Sequence, residues 1–179
     1  MMLIILASNY LVQIPFSFLG LENLLTWGAF TYPIAFLVTD LANRVHGIEF
    51  TKRVIQIGFI WGIIVSLYFA IGEFNLISLR IVIGSGFAFL VAQLFDANIF
   101  NKLRNHKHWF IPPFLSSIIS SAIDTILFFS IAFYGTQVPW ISLALGDFLV
   151  KIVIAMLMLV PFRLIVKNLN LVQNSFFSR

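Results

Sequence analysis

The 179-residue chain is 60% apolar and only 10% charged, and its mean hydropathy is +1.01. A soluble domain carries about 25% charged residues, so a surface this poor in charge suits lipid and excludes an ordinary water-soluble fold. The absence of cysteine excludes a disulfide framework, a thiolate zinc site and thiol catalysis. The isoelectric point of about 9.7 would favour nucleic-acid binding in a soluble protein. Here the basic residues lie in loops between apolar runs, so we expect no nucleic-acid partner.

Six apolar runs have the length of about 20 residues that crosses the hydrocarbon core as a helix. A lipid-facing open sheet is excluded, because its unpaired backbone groups would find no water. The N-terminal run has no basic segment before it and no cleavage site after it, so it is predicted as a retained helix. No linker or low-complexity tract divides the chain. The sequence therefore predicts an all-α membrane protein, with one domain over residues 1–179 and six transmembrane helices at about residues 2–19, 24–42, 54–72, 79–100, 113–134 and 140–162.

Loop charge predicts the orientation of these helices. Basic residues follow the second, fourth and sixth predicted helices, and Arg80 is the one basic residue near the other connections. Because cytoplasmic loops are enriched in Lys and Arg, both termini are predicted to be cytoplasmic. Trp27 and Trp140 then fall at the outer interface and Trp109 at the inner one, where aromatic belts form. Charge and aromatic position thus predict the same topology.

Five ionisable residues lie inside the apolar runs, where a charge costs about 2.5–3.5 kcal/mol and needs a reason. They are Asp40, Asp96, Asp124, Asp147 and Lys151. Asp124 is the deepest, and serines lie one turn before it on the same helix face. Asp147 and Lys151 are four residues apart and share a face, so they are predicted either as an internal ion pair or as a pair with Lys151 in a binding site.

Two polar stripes lie near the predicted cytoplasmic ends of the second and fourth helices. Gln93 precedes Asp96 by three residues, and Asp40 is followed by Asn43 and Arg44. Asp40 and Asp96 are close enough to the predicted cytoplasmic face to be partly hydrated or paired with Arg44, but we expect them to have a functional role. The surrounding segments 35–43 and 88–96 also resemble one another, which can indicate a transporter repeat.

Carboxylates that converge from different helices suit a small polar ligand rich in N–H donors. A planar amidine-like edge can give two parallel hydrogen bonds to one carboxylate, which makes such contacts strong. The sequence therefore favours a transporter or binding protein for a small polar solute.

Three motifs in order resemble the queuosine precursor transporter family, earlier described as vitamin uptake transporters. The resemblance extends from the first helix to Pro161. The motifs are Tyr32-Pro33-x-x-Phe36-Leu37-x-Thr39-Asp40-Leu41-x-Asn43-Arg44-x-x-Gly47, Phe89-Leu90-Val91-x-Gln93-x-x-Asp96-x-x-x-Phe100 and Asp124-Thr125-x-x-Phe128-Phe129-x-x-Ala132-Phe133-x-Gly135.

The resemblance implies a fold similar to the six-helix substrate-binding subunits of vitamin uptake systems. It also implies a non-enzymatic importer that carries 7-deazaguanine precursors of queuosine across the bacterial inner membrane for tRNA modification, without a cofactor or metal. Arg44 and His46 depart from the pattern of many members, which have an acidic residue and a Tyr there. The residues predicted to line the substrate pocket are Asp96, Asp124 and Lys151, with Asp40, Gln93, Arg80 and Asn9 as neighbours.

Two alternatives remain open at this point. One is a substrate-binding subunit of an ATP-driven vitamin uptake system, which needs partner proteins because this chain has no phosphate-binding loop. The other is an intramembrane aspartyl protease with two aspartates, for which Gly146-Asp147 is a weak signal because Ala144 stands where a second glycine is expected.

Overall fold

The computed structural model describes residues 2–11, 14–17, 26–70 and 76–177. Nearly all of these residues are helical, and the described part of the chain contains no β-strand, only an isolated bridge between Pro15 and Thr26. The all-α prediction is confirmed. The six helices are α1 (Met2–Leu11), α2 (Gly28–His46), α3 (Ile48–Ala70), α4 (Leu76–Leu103), α5 (Ile111–Phe133) and α6 (Trp140–Phe177).

The first helix is shorter than the sequence predicts. It ends at Leu11, and residues 14–17 are not helical, so the predicted continuous helix over 2–19 is wrong. Pro15 explains the difference, because its ring clashes with the preceding helical turn and it has no N–H to donate. Instead, the Trp27 N–H donates to the Ile14 carbonyl at 3.1 Å beside the bridge from Pro15. The segment after α1 thus turns back against the start of α2.

Three helices are long and apolar enough to cross a membrane among the residues that the structure describes. They are Leu79–Leu103, Ile111–Phe133 and Trp140–Leu169. α2 and α3 have 19 and 23 residues, a length that also reaches across the hydrocarbon core. Asp40, Asn43 and Arg44 make α2 less apolar than the other long helices. The chain is thus a multi-pass membrane protein.

α6 has one apolar outer face and one polar inner face. Asp147, Lys151 and Ala155 are four residues apart in turn and all buried, which is the spacing of one helix face. The opposite face has the appearance of a lipid-facing surface. Its exposed residues are Ile141, Leu145, Leu149, Val153, Leu157, Val160 and Leu164.

α4 packs most extensively against α5. A Cβ atom at Gly84 would lie 3.3 Å from the Ile131 Cβ, so the small residue allows the two helices to approach closely. Ala88, one turn further along α4, is fully buried in an apolar cluster with Phe128 and Phe129 of α5. This close pairing fixes the polar faces of α4 and α5 relative to one another.

α2 and α4 run parallel and in register. The Thr39 hydroxyl donates to the Gln93 side-chain carbonyl at 2.9 Å, and the Asn43 amide donates to the Ala97 backbone carbonyl at 2.8 Å. Both hydrogen bonds join residues 54 positions apart, as expected for two parallel helices. The similar segments 35–43 and 88–96 therefore lie side by side, while their origin as a repeat stays a prediction.

Candidate substrate-binding site

α2, α4 and α5 enclose a group of buried polar side chains, here called the acidic cluster. Asp40 is 2% exposed, and Gln93 and Asp96 are completely buried. Both carboxyl groups are thus buried inside the bundle and not at its surface. The members of the cluster are Asp40, Asn43, Gln93, Asp96, Ser116 and Ser120.

The acidic cluster contains many polar atoms without a hydrogen-bond partner. Asp96 and Asp40 are close enough to interact electrostatically, and Ser116 and Thr39 lie beside Asp96. Buried polar groups are nearly always satisfied, so each exception needs an explanation. A concentration of both acceptors and donors indicates a site for a polar ligand. The unpartnered atoms are both Asp96 oxygens, Asp40 Oδ1, Asn43 Oδ1, Gln93 Nε2 and Ser120 Oγ.

A second polar group, here called the lysine cluster, joins α5 to α6. The Lys151 Nζ lies 2.7 Å from Asp124 Oδ2 and 2.5 Å from Asp147 Oδ2. Lys151 also donates to the Thr125 hydroxyl at 3.1 Å, and Thr125 donates to Asp147 at 2.8 Å. The predicted Asp147–Lys151 ion pair is confirmed, and Asp124 extends it across the helix interface. Asp124 Oδ1 is buried without a partner, so this carboxylate keeps one acceptor for a ligand.

A stripe of small polar residues on α5 connects the two clusters. Ser116, Ser120 and Asp124 are each four residues apart and all buried, so they follow one helix face over about 12 Å. Ser116 lies beside Asp96 at one end, and Asp124 belongs to the lysine cluster at the other. The stripe thus provides a polar path between the two clusters.

The space beside this stripe is closed in the present conformation. A cavity of about 10 Å³ lies between Asp40, Ser117 and Ser121, which is room for about one water molecule. Pro33 of α2 and Met158 of α6 also line it. A bicyclic base does not fit there, so such a ligand can enter this space only when the helices that line it separate.

Two of the predicted residues make other contacts, and the side chain of a third is not described. The Arg80 guanidinium donates to the carbonyls of Ile131 and Tyr134 at 3.1 and 2.8 Å, so it caps the C-terminal end of α5. Its predicted place beside the substrate is not supported by these contacts. Arg44 donates to the Arg104 carbonyl at 2.8 Å, and the predicted pairing with Asp40 or Asp96 is wrong because its exposed side chain points towards the α4–α5 connection. Asn9 lies on α1, and its side chain is outside the part that the structure describes.

Sequence reasoning missed two hydroxyl groups of these clusters. Thr125 donates to Asp147 and accepts from Lys151, and Ser116 lies beside Asp96. Ser116 could have been found from its spacing, since it precedes Ser120 and Asp124 by one and two turns. Thr125 gives no such signal, because only the packing of α5 on α6 brings it to Lys151.

Comparison with known proteins identifies the family. Residues 26–166 match the family described as "Putative vitamin uptake transporter". The "Queuosine precursor transporter" of Escherichia coli is 34% identical, over 95% of this chain and 84% of that protein. The chain belongs to the queuosine precursor transporter family. The "Probable queuosine precursor transporter" of Haemophilus influenzae is 37% identical, over 94% of this chain and 83% of its own length.

The match to this family covers both clusters. Residues 26–166 contain the acidic cluster and the lysine cluster completely, and they leave out α1 and the end of α6. No solved structure matches the chain. The predicted resemblance to the queuosine precursor transporter family is confirmed.

Proposed function

We propose that this chain is an importer of queuosine precursors, which are 7-deazaguanine bases, in the bacterial inner membrane. It acts as a transporter and not as an enzyme, and its own residues bind the substrate without a cofactor. The observation that carries this proposal is the set of buried, unpartnered polar atoms in the acidic cluster. The names of the two relatives support the choice of substrate class.

The hydrogen-bonding edge of a 7-deazaguanine complements the acidic cluster. That edge has two donors, the N1–H and the 2-amino group, beside one acceptor, the 6-carbonyl. The two oxygens of Asp96, which lack a partner of good hydrogen-bond geometry, can accept from the two donors as a fork. The Gln93 amide nitrogen, which is also free, can donate to the carbonyl. Asp40 and Ser120 supply further contacts around the ring.

Asp124 provides a second contact at the far end of the α5 stripe. Its Oδ2 is engaged by Lys151, and its Oδ1 remains available. The two clusters together hold four carboxyl groups and one ammonium group, so an additional positive charge is electrostatically favourable there. A substrate with a basic aminomethyl substituent therefore suits the site better than a neutral one.

The substrate panel gives the first prediction. Purified protein is titrated with the aminomethyl- and cyano-substituted deazaguanine precursors, queuine, guanine and adenine. We expect the aminomethyl compound to bind about five- to tenfold more tightly than the neutral cyano compound, because its contact is charge-assisted.

Adenine serves as the matched negative control, because its edge presents an acceptor where guanine has the N1–H. Equal binding of adenine and the deazaguanines would contradict recognition by a carboxylate fork. Absence of binding by every deazaguanine, in protein shown to be folded, would contradict the proposed function itself.

We further infer six transmembrane helices with both termini in the cytoplasm. The basic residues support this orientation. Lys102 lies at the end of α4 and Arg104 and Lys107 lie in the α4–α5 connection, while Arg163 and Lys167 lie in the second half of α6. These positions place all five at one end of the helix bundle, as the positive-inside bias requires.

Reporter fusions test this topology. A C-terminal alkaline phosphatase fusion is expected to be inactive, since the enzyme needs the oxidising periplasm, while a C-terminal green fluorescent reporter is expected to be bright. A fusion in the α5–α6 connection at Gln137 is the matched control, with the opposite expected result. Active phosphatase at the C-terminus would contradict an even number of spans with a cytoplasmic N-terminus.

Neither alternative function is favoured. The relatives are named as transporters and match over most of their length, which does not favour a subunit of an ATP-driven system. For an aspartyl protease, Asp124 and Asp147 would have to share and activate a water molecule. Both form an ion pair with Lys151 instead.

A further inference from the structure

A basic cavity lies at the end of the bundle where the α4–α5 connection meets α6. Its volume is about 470 Å³, large enough for a phospholipid headgroup or another small anion. Its described lining contains no acidic side chain. Five Lys and Arg side chains line it: Arg44, Arg104, Lys107, Arg163 and Lys167.

The cations of this cavity keep most of their donors available. Arg44 and Arg104 each use one guanidinium nitrogen on the backbone carbonyl of the other, at 2.8 and 3.0 Å. These two reciprocal hydrogen bonds hold the two guanidinium groups together, and they leave the other N–H groups of both residues for an anion. Five unneutralised cations around one cavity repel each other, so an anion among them is electrostatically favourable.

The backbone cannot hold this anion, although the N-terminus of α5 opens onto the cavity. Pro112 lines the cavity and Pro113 follows it, and neither has an N–H. The Ile111 N–H is already bonded to the His108 carbonyl at 3.2 Å. Side-chain donors must therefore bind the anion, while the positive end of the helix dipole adds to its attraction.

Aromatic residues place the cavity at the level of lipid headgroups. Trp109 lines the cavity and is 41% exposed, and the neighbouring Phe110 is 39% exposed, as expected for residues at a membrane interface. The Arg163 guanidinium stacks over the Trp109 ring at 4.8 Å. Phe100 and Phe162 line the cavity and meet edge to face at 6.0 Å, so they form an apolar floor.

We propose that this cavity binds the phosphate group of an acidic phospholipid. The cations supply the charge-assisted hydrogen bonds that a phosphate accepts, and basic pockets between transmembrane helices are suited to such headgroups. A soluble phosphate compound has the same binding chemistry. The interfacial rim and the apolar floor favour the lipid as the source.

Binding of phosphatidylglycerol to delipidated protein tests this proposal, with native mass spectrometry as the readout. The double variant Arg163→Gln/Lys167→Gln is expected to bind about 25-fold more weakly than wild type, or about fivefold for each cation removed. The charge-matched control is Lys52→Gln/Arg53→Gln on α3, outside the cavity, and its binding is expected to stay within about twofold of wild type. Phosphatidylcholine is expected to bind weakly to all three proteins.

Two further measurements distinguish the source and the place of binding. Inorganic phosphate is expected to displace the lipid poorly; displacement at equal concentration would overturn the lipid as the source and leave a soluble phosphate site. Lipid addition is expected to change tryptophan fluorescence in wild type and not in Trp109→Phe. The proposal is overturned if the cavity variant and its control lose lipid binding equally, or if neither variant loses it. This holds whether or not deazaguanines bind.

Discussion

Asp96→Asn is expected to weaken binding of a deazaguanine by about 100-fold or more, with the protein still inserted and folded. Neither carboxylate oxygen has a partner of good hydrogen-bond geometry, and the neighbouring Ser116 and Thr39 hydroxyls can bond to the amide as well, so the fold should tolerate the change. The loss follows from two charge-assisted contacts, each worth about 1.5–3 kcal/mol. The amide also presents an N–H to one of the substrate's donors. Affinity is measured by calorimetry on detergent-purified protein of equal thermal stability.

Two control variants show whether the loss of affinity is specific to Asp96. Glu49→Gln makes the same chemical change at an exposed carboxylate that pairs with Lys52, and its affinity should equal that of wild type. Asp124→Asn should show a smaller loss, about 10-fold, because only one of its oxygens is available. Wild-type affinity in Asp96→Asn would remove the acidic cluster from the site, and Asp124 would then be the better candidate.

Lys151→Met is expected to destabilise the protein by about 3–5 kcal/mol, because it leaves two buried carboxylates without their shared cation. At about 2–4 °C per kcal/mol for a chain of this size, the melting temperature should fall by roughly 6–20 °C. Asp147→Asn should have a milder effect, since Lys151 keeps Asp124 at 2.7 Å. Thermal unfolding in detergent, followed by circular dichroism, measures both.

The variant that should restore stability follows from the three charged residues of the lysine cluster, Asp124, Asp147 and Lys151. Neutralising Lys151 and Asp147 together still leaves Asp124 unpartnered, so that double change should rescue little. Only Asp124→Asn/Asp147→Asn/Lys151→Met removes every charge, and we expect it to recover most of the lost stability. A Lys151→Met protein as stable as wild type but unable to bind substrate would contradict this structural role and assign Lys151 to the site.

The helices could be predicted from the sequence because each one depends mainly on the composition of its own apolar run. Apolar length located α2 to α6, since about 20 apolar residues in a row have few alternatives in a membrane. The error at α1 has a local cause, because Pro15 ends a run that composition alone would continue. The predicted end of α6 fell short of Phe177, since Arg163, Lys167 and Asn168 interrupt the apolar run and resemble the start of a tail.

The candidate site could be predicted only in its parts. A charged residue at membrane depth is conspicuous whatever its neighbours, so the buried carboxylates and Gln93 were found. The contacts between these buried residues depend on how α4 packs on α5 and how α5 packs on α6. The hydrophobic periodicity of a single helix does not predict that packing. For this reason the sequence paired Lys151 with Asp147 on its own helix and placed Asp124 in the same pocket, but it did not predict the ion pair between Lys151 and Asp124. The positions of Arg80 and Arg44 were predicted incorrectly because their long side chains reach backbone carbonyls of other segments of the chain.

Uptake by the chain alone is the most direct test of the account. Purified protein is reconstituted in liposomes without nucleotide or partner proteins, and entry of a radiolabelled aminomethyl-deazaguanine is followed against protein-free liposomes and Asp96→Asn. The account predicts saturable uptake by wild type, inhibited by excess unlabelled deazaguanine but not by adenine, and at least tenfold slower in Asp96→Asn. Uptake no faster than in protein-free liposomes, from protein that binds the substrate in detergent, would contradict a self-sufficient importer and restore the ATP-driven alternative.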